Sequence, residues 1–169
     1  MYLDRTLSKM LSLALNAFPA VLLTGPRQSG KTTFLRHELN ERYDYVSFDD
    51  PLEWAFASSD PNGFLRRFDQ RPALLDEVQY VPELFFYLKL RIDAAPEQLG
   101  RWLLTCSQQF GLMQHIGESI TECVAILELL PFSALEHKGR CHRGIAPCPG
   151  GPFPPGSGRH WRPLMHERF

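Results

Sequence analysis

The sequence predicts an α/β fold in which helices cover both faces of a mostly parallel five-stranded sheet, giving three layers. Short apolar runs alternate along the chain with segments of helical periodicity, which is typical of strand–helix–strand units joined by right-handed crossovers. The first apolar run leads directly into a glycine-containing loop and then into a helix. These two observations define the fold class, and the individual elements follow from local spacing.

In the first half of the chain, apolar spacing and proline breaks place six elements. Pro19 ends the first helix, and Asp50-Pro51 stops the second strand. Asn62-Gly63 predicts a turn, because this dipeptide marks turns and loops. The predicted elements are a helix at 2–17, a strand at 20–24, a helix at 32–42, a strand at 45–49 and short helices at 52–57 and 64–68.

In the second half, the same criteria place five more elements. The longest helix has Pro82 at its start, where proline is tolerated. The predicted elements are a strand at 72–76, a helix at 83–95, a strand at 101–105, a helix at 109–116 and a strand at 124–129.

The composition changes near His137. Residues 1–136 carry 12 basic and 18 acidic side chains, whereas residues 137–169 carry 6 basic and 1 acidic. The second segment also holds 6 of the 14 prolines and 6 of the 12 glycines. Such a segment cannot bury enough apolar surface to offset its ordering entropy. We therefore predict a folded domain at 1–136 and an irregular, disordered Pro/Gly-rich basic tail at 137–169.

The whole-chain composition narrows the functional classes. A net charge of −1 gives no electrostatic reason to expect nucleic acid as a partner. No apolar run approaches the roughly 20 residues of a membrane-spanning helix, and the amino terminus lacks the pattern of a secretory signal. Four cysteines without a C-x-x-C pair do not form a disulfide framework. We expect a cytoplasmic protein without membrane contact.

A phosphate-binding loop follows the first strand. Residues 25–32 satisfy G-x-x-x-x-G-K-[ST] at every fixed position, between a predicted strand and a predicted helix. The glycines let successive backbone N–H groups point at phosphate oxygens, Lys31 reaches the β- and γ-phosphates, and the Thr32 hydroxyl is a Mg²⁺ ligand. The predicted fold is thus a P-loop nucleoside-triphosphatase core. The predicted nucleotide-binding residues are Gly25, Pro26, Arg27, Gln28, Ser29, Gly30, Lys31, Thr32 and Thr33.

Polar residues at two other strand ends complete the predicted site. Asp76 can hold a water of the Mg²⁺ shell, and Glu77 can orient and deprotonate an attacking water. The alternative for this pair is a solvated strand end. Ser107, or Gln108 beside it, can sense the γ-phosphate or position the water, because the carboxyl ends of parallel strands face the ligand crevice. Ser107 can also cap the next helix, and both roles can hold together.

Five segments in this order resemble the prokaryotic AAA-type ATPases of the AAA_14 group: LTGPRQSGKTT, YVSFDDP, LLDEVQYVPELFFYLKLRID, RWLLTCSQQF and VAILELLPFSALE. The resemblance spans about residues 1–136 and implies a core in which the acidic-pair strand does not directly follow the phosphate-loop strand. It further implies ATP and Mg²⁺ as cofactors, with Mg²⁺ on Thr32 and Asp76. Lys31, Glu77 and Ser107 would be the catalytic residues, with Glu77 activating water and Ser107 as a sensor. A homo-oligomer or another protein partner stays open.

The sequence departs from that family pattern at three places. Cys106 stands where glycine is usual, and Glu122 and Cys123 stand where glycine and arginine are usual. The missing arginine is a candidate for charge stabilisation at a nucleotide or subunit contact, so its loss concerns hydrolysis more than binding. The family-like sequence stops after Glu136, and we interpret the chain as a truncated or frameshifted member.

Three functions are consistent with these residues. The first is an ATP-binding protein that hydrolyses ATP with Mg²⁺ on an AAA-type P-loop domain. The second is a nucleotide-binding module or degenerate fragment with little or no turnover, which the departures at Cys106, Glu122 and Cys123 favour. The third is a small-molecule kinase, because kinases share the phosphate loop.

Overall fold

Five parallel strands form one sheet in the computed structural model, which describes residues 5–39, 42–107 and 123–132. The strands are β1 (Ala20–Thr24), β2 (Asp44–Ser47), β3 (Ala73–Asp76), β4 (Trp102–Cys106) and β5 (Val124–Glu128). Their order across the sheet is β2-β3-β4-β1-β5, and every neighbouring pair is parallel. The predicted α/β class is confirmed, with a sheet that is parallel throughout.

The position of β4 decides which strand ends can meet. β4 pairs with β1 on one side and with β3 on the other, so it separates the strand before the phosphate loop from the strand that carries the acidic pair. Every residue of these three strands is buried, as expected for a parallel sheet that is covered on both faces. Because all five strands run the same way, their carboxyl ends share one edge of the sheet.

Helices cover the two faces of the sheet and give the three layers. The helices are α1 (Ser8–Leu15), α2 (Lys31–Leu39), α3 (Pro51–Ser59), α4 (Pro61–Arg66) and α5 (Leu84–Ala94), with a 3₁₀ turn at Val78–Tyr80. Alternate β1 side chains face opposite layers: Val21 packs in the apolar cluster with α1 and α2, and Leu22 packs in the cluster with α3, α4 and α5. The strand alternation therefore holds both layers onto one sheet.

The turn predicted at Asn62-Gly63 is wrong, because both residues lie inside α4. The Asp60 carboxylate accepts a hydrogen bond from the Gly63 N–H at 2.8 Å, and Pro61 occupies the first turn of the helix. An aspartate followed by proline is a typical helix start. The aspartate side chain accepts a first-turn N–H, and proline costs no hydrogen bond in the first turn, where a backbone N–H has no partner within the helix. These two signals override the turn preference of the Asn-Gly pair.

Asp50 caps α3 in the same way, because its carboxylate accepts a hydrogen bond from the Leu52 N–H at 2.9 Å.

The other described elements agree with the predicted ones to within a few residues at their ends, except that α1 begins only at Ser8. The helix predicted at 109–116 and the tail predicted at 137–169 lie outside the described residues.

Phe64, in α4, is the centre of an aromatic cluster. Its side chain is fully buried, and its ring centroid lies 5.5 Å from those of Phe48 and Phe68 and 5.8 Å from that of Phe56. Such pairs add to the free energy gained from burying the rings themselves. Phe64 is therefore a large single contributor to the packing of this layer.

Substitution of this ring provides a test of the core. We expect Phe64→Ala to lower the free energy of unfolding by about 3–5 kcal/mol, because it removes a buried ring and leaves a cavity. Phe86→Ala is the matched control, since 65% of Phe86 is exposed, and it should cost about 1 kcal/mol or less. Urea denaturation measures both values, and equal losses would contradict the packing described here.

Candidate functional site

The phosphate loop connects β1 to α2 through a backbone that few residues can adopt. Gly25 has φ +147° and Gly30 has φ +86°, and Gln28 lies between them at φ +64°. A Cβ on Gly25 would come within 2.2 Å of the Leu129 carbonyl oxygen, just beyond β5. Glycine at position 25 is therefore required by the close approach of the two segments as well as by φ.

Lys31 begins α2 and folds back over this loop. The side chain is 5% exposed, and Nζ donates hydrogen bonds to the carbonyl oxygens of Gly25 and Pro26, each at 3.1 Å. Because an ammonium group has three N–H donors, one remains after these two bonds. The unpaired N–H groups in the first turn of α2 add further donors beside it.

Ser29 supplies the observation that tests whether this loop fits a phosphate. Its hydroxyl oxygen is buried and has no hydrogen-bond partner among the described residues. An unpaired buried polar group costs about 1–3 kcal/mol, so a ligand that accepts a hydrogen bond here would be favoured. An anion bound by the loop amides meets that need. The residues present therefore fit a phosphate group.

Asp76 joins the loop to the end of β3. The Thr32 hydroxyl donates to the carboxylate at 3.1 Å from Oδ1 and 2.9 Å from Oδ2. The hydroxyls of Tyr45, at 2.9 Å, and Thr105 donate to the same carboxylate, which is 5% exposed. Three hydroxyl donors thus stabilise a buried negative charge that would otherwise be unfavourable.

Tyr45 is a site residue that the sequence analysis considered only as part of a strand. Burial, and then the negative charge of Asp76, raise the pKa of its phenol, while the Arg36 guanidinium opposes this from 4.1 Å above the ring centroid. The phenol therefore stays protonated and donates to Asp76 at neutral pH. Alternation around position 45 predicts a strand but carries no signal for this contact.

Glu77 is held from two directions. Its backbone is left-handed, with φ 59° and ψ 47°, and its N–H donates to the Thr105 hydroxyl at 3.0 Å. Its carboxylate accepts hydrogen bonds from the Ser107 hydroxyl, at 2.7 Å, and from the Gln79 amide. The sequence analysis gave Gln79 no role, and its position two residues after Glu77 is the only local signal.

The structure brings most of the predicted site residues to one edge of the sheet. The contacts above join Thr32 to Asp76 and Ser107 to Glu77, and Lys31 precedes Thr32 at the start of α2. The chemical roles of all five residues stay predictions. In the loop, Pro26, Arg27 and Gln28 are exposed, as are Gly30 and, in α2, Thr33. Gln108 and Glu122 lie outside the described residues.

Cys123 lies at the edge of the sheet formed by the amino ends of the strands, opposite the edge that carries the phosphate loop. It precedes the first residue of β5, whose Val124 pairs with Ala20 at the start of β1. At about 3.3 Å per residue, the five residues of β1 separate it from the loop by roughly 16 Å. An arginine at position 123 could therefore not reach the phosphate loop of its own chain.

Arg5 ties the amino-terminal segment to the loop, and no sequence signal pointed to it. The side chain is buried and donates hydrogen bonds to the carbonyl oxygens of Ser29, at 3.4 Å, and Leu130. Its guanidinium carbon lies 4.1 Å from the centroid of the Phe132 ring. Three segments distant in sequence therefore meet beside the phosphate loop.

Comparison with known proteins extends these observations. The sequence model of the AAA_14 family, described as an AAA domain, matches residues 17–138. An uncharacterised protein of Mycobacterium tuberculosis, Rv2008c, and one of Mycobacterium bovis, Mb2031c, are each 34% identical to the chain over 133 residues. The match covers 74% of the chain and 28% of each relative, so the chain spans less than a third of their length.

Among solved structures, the chain is similar to the Walker-type ATPase PABY2304 of Pyrococcus abyssi, with a TM-score of 0.56 and 19% identity. The match covers 80% of this chain and 55% of the other. At this identity the likeness supports the fold alone. Within the described residues, no helix combines the length and apolar character needed to cross a membrane.

A titration of Tyr45 tests the contact with Asp76. In Asp76→Asn the negative charge is gone, so we expect the Tyr45 phenolate to form at lower pH than in the native chain. Because burial is the larger cause and remains, the pKa of Tyr45 should stay above its ordinary value of 10.0. The near-ultraviolet absorbance of the phenolate measures this, and Tyr45→Phe identifies the band.

Asp69→Asn is the matched control for this titration. Asp69 is exposed and pairs with Arg91, away from Tyr45. The control should leave the Tyr45 band in place. An unchanged band in Asp76→Asn would show that the carboxylate does not act on the phenol.

Proposed function

The chain belongs to the AAA_14 family of AAA domains, and from this premise we propose that it binds ATP with Mg²⁺ and hydrolyses it to ADP and phosphate. The family supports an ATP-binding function of the ATPase type. The observation that carries the finer proposal is the pair of hydrogen bonds from the Thr32 hydroxyl to Asp76. They bring the phosphate loop into contact with the strand end that bears Glu77.

The phosphate groups would bind where donors converge at the start of α2. Lys31, the first-turn N–H groups and the Ser29 hydroxyl are the donors available to the β- and γ-phosphate oxygens. Binding would exchange the two hydrogen bonds that the Lys31 ammonium donates to loop carbonyls for bonds to charged phosphate oxygens. In the bonds to the carbonyls only the donor carries a charge, whereas with phosphate the two charges are opposite and attract, so this exchange favours the ligand.

Thr32 and Asp76 would hold the Mg²⁺ that accompanies ATP. A hydroxyl and one carboxylate fit this ion, because Mg²⁺ is usually bound by one or two carboxylates together with phosphate oxygens and waters. When bound, it neutralises charge that develops on the phosphate oxygens. Tyr45 and Thr105 would keep the Asp76 carboxylate in place through their hydrogen bonds.

Glu77 would act as the base for an attacking water. The water oxygen forms a bond to the γ-phosphorus while the bond from that phosphorus to the bridging oxygen breaks. ADP leaves with the bridging oxygen, and the proton lost by water passes to the Glu77 carboxylate. Ser107 donates to this carboxylate and so orients it. Lys31 would stabilise the charge on the transferring group.

Two substitutions test the proposal. Glu77→Gln should retain ATP binding while its kcat falls roughly 100- to 10,000-fold, because the base is lost. Lys31→Ala should weaken ATP binding by roughly 10- to 100-fold, because charged hydrogen bonds to phosphate are lost. A fluorescent ATP analogue measures binding, and phosphate release measures turnover.

Glu83→Gln is the control for Glu77→Gln, because it makes the same chemical change at an exposed residue before α5. It should match the native chain in both measurements. If the native chain binds Mg²⁺-ATP without releasing phosphate, it is a nucleotide-binding module and the hydrolytic proposal is wrong. If Lys31→Ala binds ATP as tightly as the native chain, the loop is not the nucleotide site.

A further inference from the structure

Gln79 closes a three-residue network around the carboxylate of Glu77. It lies in the 3₁₀ turn that follows Glu77, and its amide nitrogen donates to the Glu77 carboxylate and, at 3.1 Å, to the Ser107 hydroxyl oxygen. Ser107 itself donates to the same Glu77 oxygen. Each of the three side chains therefore contacts the other two.

This network fixes which way the Gln79 amide faces. The reverse orientation would place the amide oxygen against the Glu77 carboxylate, which accepts hydrogen bonds but cannot donate them when ionised. The nitrogen therefore faces the Glu77 carboxylate, and the oxygen receives no hydrogen bond from Glu77. The Gln79 Oε1 atom is buried and has no hydrogen-bond partner among the residues that the structure describes.

A buried amide oxygen without a donor is unusual in a folded protein. It lies on a side chain that already holds the carboxylate proposed as the base. The backbone of Glu77 is strained, with φ 59°, and it is held by a hydrogen bond from its N–H to the Thr105 hydroxyl. Strained residues of this kind are concentrated at functional sites. The unpaired oxygen and the held carboxylate thus belong to one preorganised unit.

We propose that Gln79 is a positioning residue for the attacking water, an inference that rests on the proposed hydrolysis. Its amide nitrogen fixes the Glu77 carboxylate, and its amide oxygen accepts one hydrogen bond from the water. The water gives its other proton to Glu77 as its oxygen bonds to the γ-phosphorus. Two acceptors aligned on one water hold its lone pair towards the phosphorus, which lowers the entropic part of the barrier.

Two variants separate this role from a structural one. Gln79→Ala removes both halves of the amide, and Gln79→Glu keeps the side-chain shape but loses both N–H donors. We expect each to lower kcat roughly 100-fold, because a displaced water and base cost about that much. For Gln79→Ala, the KM for ATP and the thermal midpoint should stay at native values. Gln98→Ala, at an exposed glutamine beyond α5, should match the native chain throughout.

A second readout does not depend on turnover. ADP with fluoroaluminate mimics the transferring phosphoryl group together with the attacking water, whereas ADP with beryllium fluoride mimics bound ATP. We expect Gln79→Ala to bind the beryllium fluoride complex as the native chain does and to lose affinity for the fluoroaluminate complex. A water-positioning residue predicts this difference, and a purely structural residue does not.

Other outcomes overturn the inference in distinguishable ways. If Glu77→Gln abolishes turnover while both Gln79 variants keep the native kcat, Gln79 has no positioning role and the proposed hydrolysis stands. If Gln79→Ala loses affinity for both ADP complexes and also has a lower thermal midpoint, the role of Gln79 is structural. If the native chain binds ATP but neither releases phosphate nor binds the fluoroaluminate complex, both the inference and the proposed hydrolysis are wrong.

Discussion

The contact between the Thr32 hydroxyl and the Asp76 carboxylate holds the candidate site together, because Thr32 follows β1, Asp76 ends β3, and these two strands do not touch. β4 separates β1 from β3, and strand spacing of about 4.8 Å leaves roughly 10 Å between those two strands. α2 crosses this gap and places its second residue against the end of β3. Tyr45 and Thr105 close the remaining sides of the carboxylate. The alignment of phosphate loop and acidic pair thus depends on one buried aspartate that three hydroxyl groups satisfy.

Backbone strain is concentrated around this contact. Gln28 and Glu77 are the two non-glycine residues with positive φ in the described part of the chain. Left-handed backbone costs roughly 1–2 kcal/mol per residue, so each needs support from its surroundings. Thr105 provides it for Glu77 through a hydrogen bond to the backbone N–H. For Gln28, the Ser29 N–H closes the turn onto the Pro26 carbonyl. The fold therefore accepts unfavourable conformations in the phosphate loop and at the end of β3, and neighbouring hydrogen bonds compensate for them.

The sequence was sufficient for those features whose causes are local. Buried parallel strands appear as continuous apolar runs, and the phosphate loop appears as a fixed spacing of glycine, lysine and threonine, so both were predicted. The turn at Asn62-Gly63 failed because the Asp60 cap acts more strongly than the dipeptide preference. Tyr45 could not be assigned to the site, because its side chain contacts Asp76 on the neighbouring strand. Gln79 could not be assigned either, because its contact with Ser107 depends on the turn after β3 and on the end of β4 coming together. Local spacing carries no information about such contacts.

Arg5 gives the amino terminus an unexpected importance. Its guanidinium binds the backbone of the phosphate loop and of the segment after β5, and it stacks on Phe132. Whatever is joined to the chain ahead of residue 5 is thus one side chain away from the phosphate loop. A fused domain or an affinity tag there would act on that loop through Arg5. A fluorescent reporter attached there would, by the same linkage, report rearrangements of the loop.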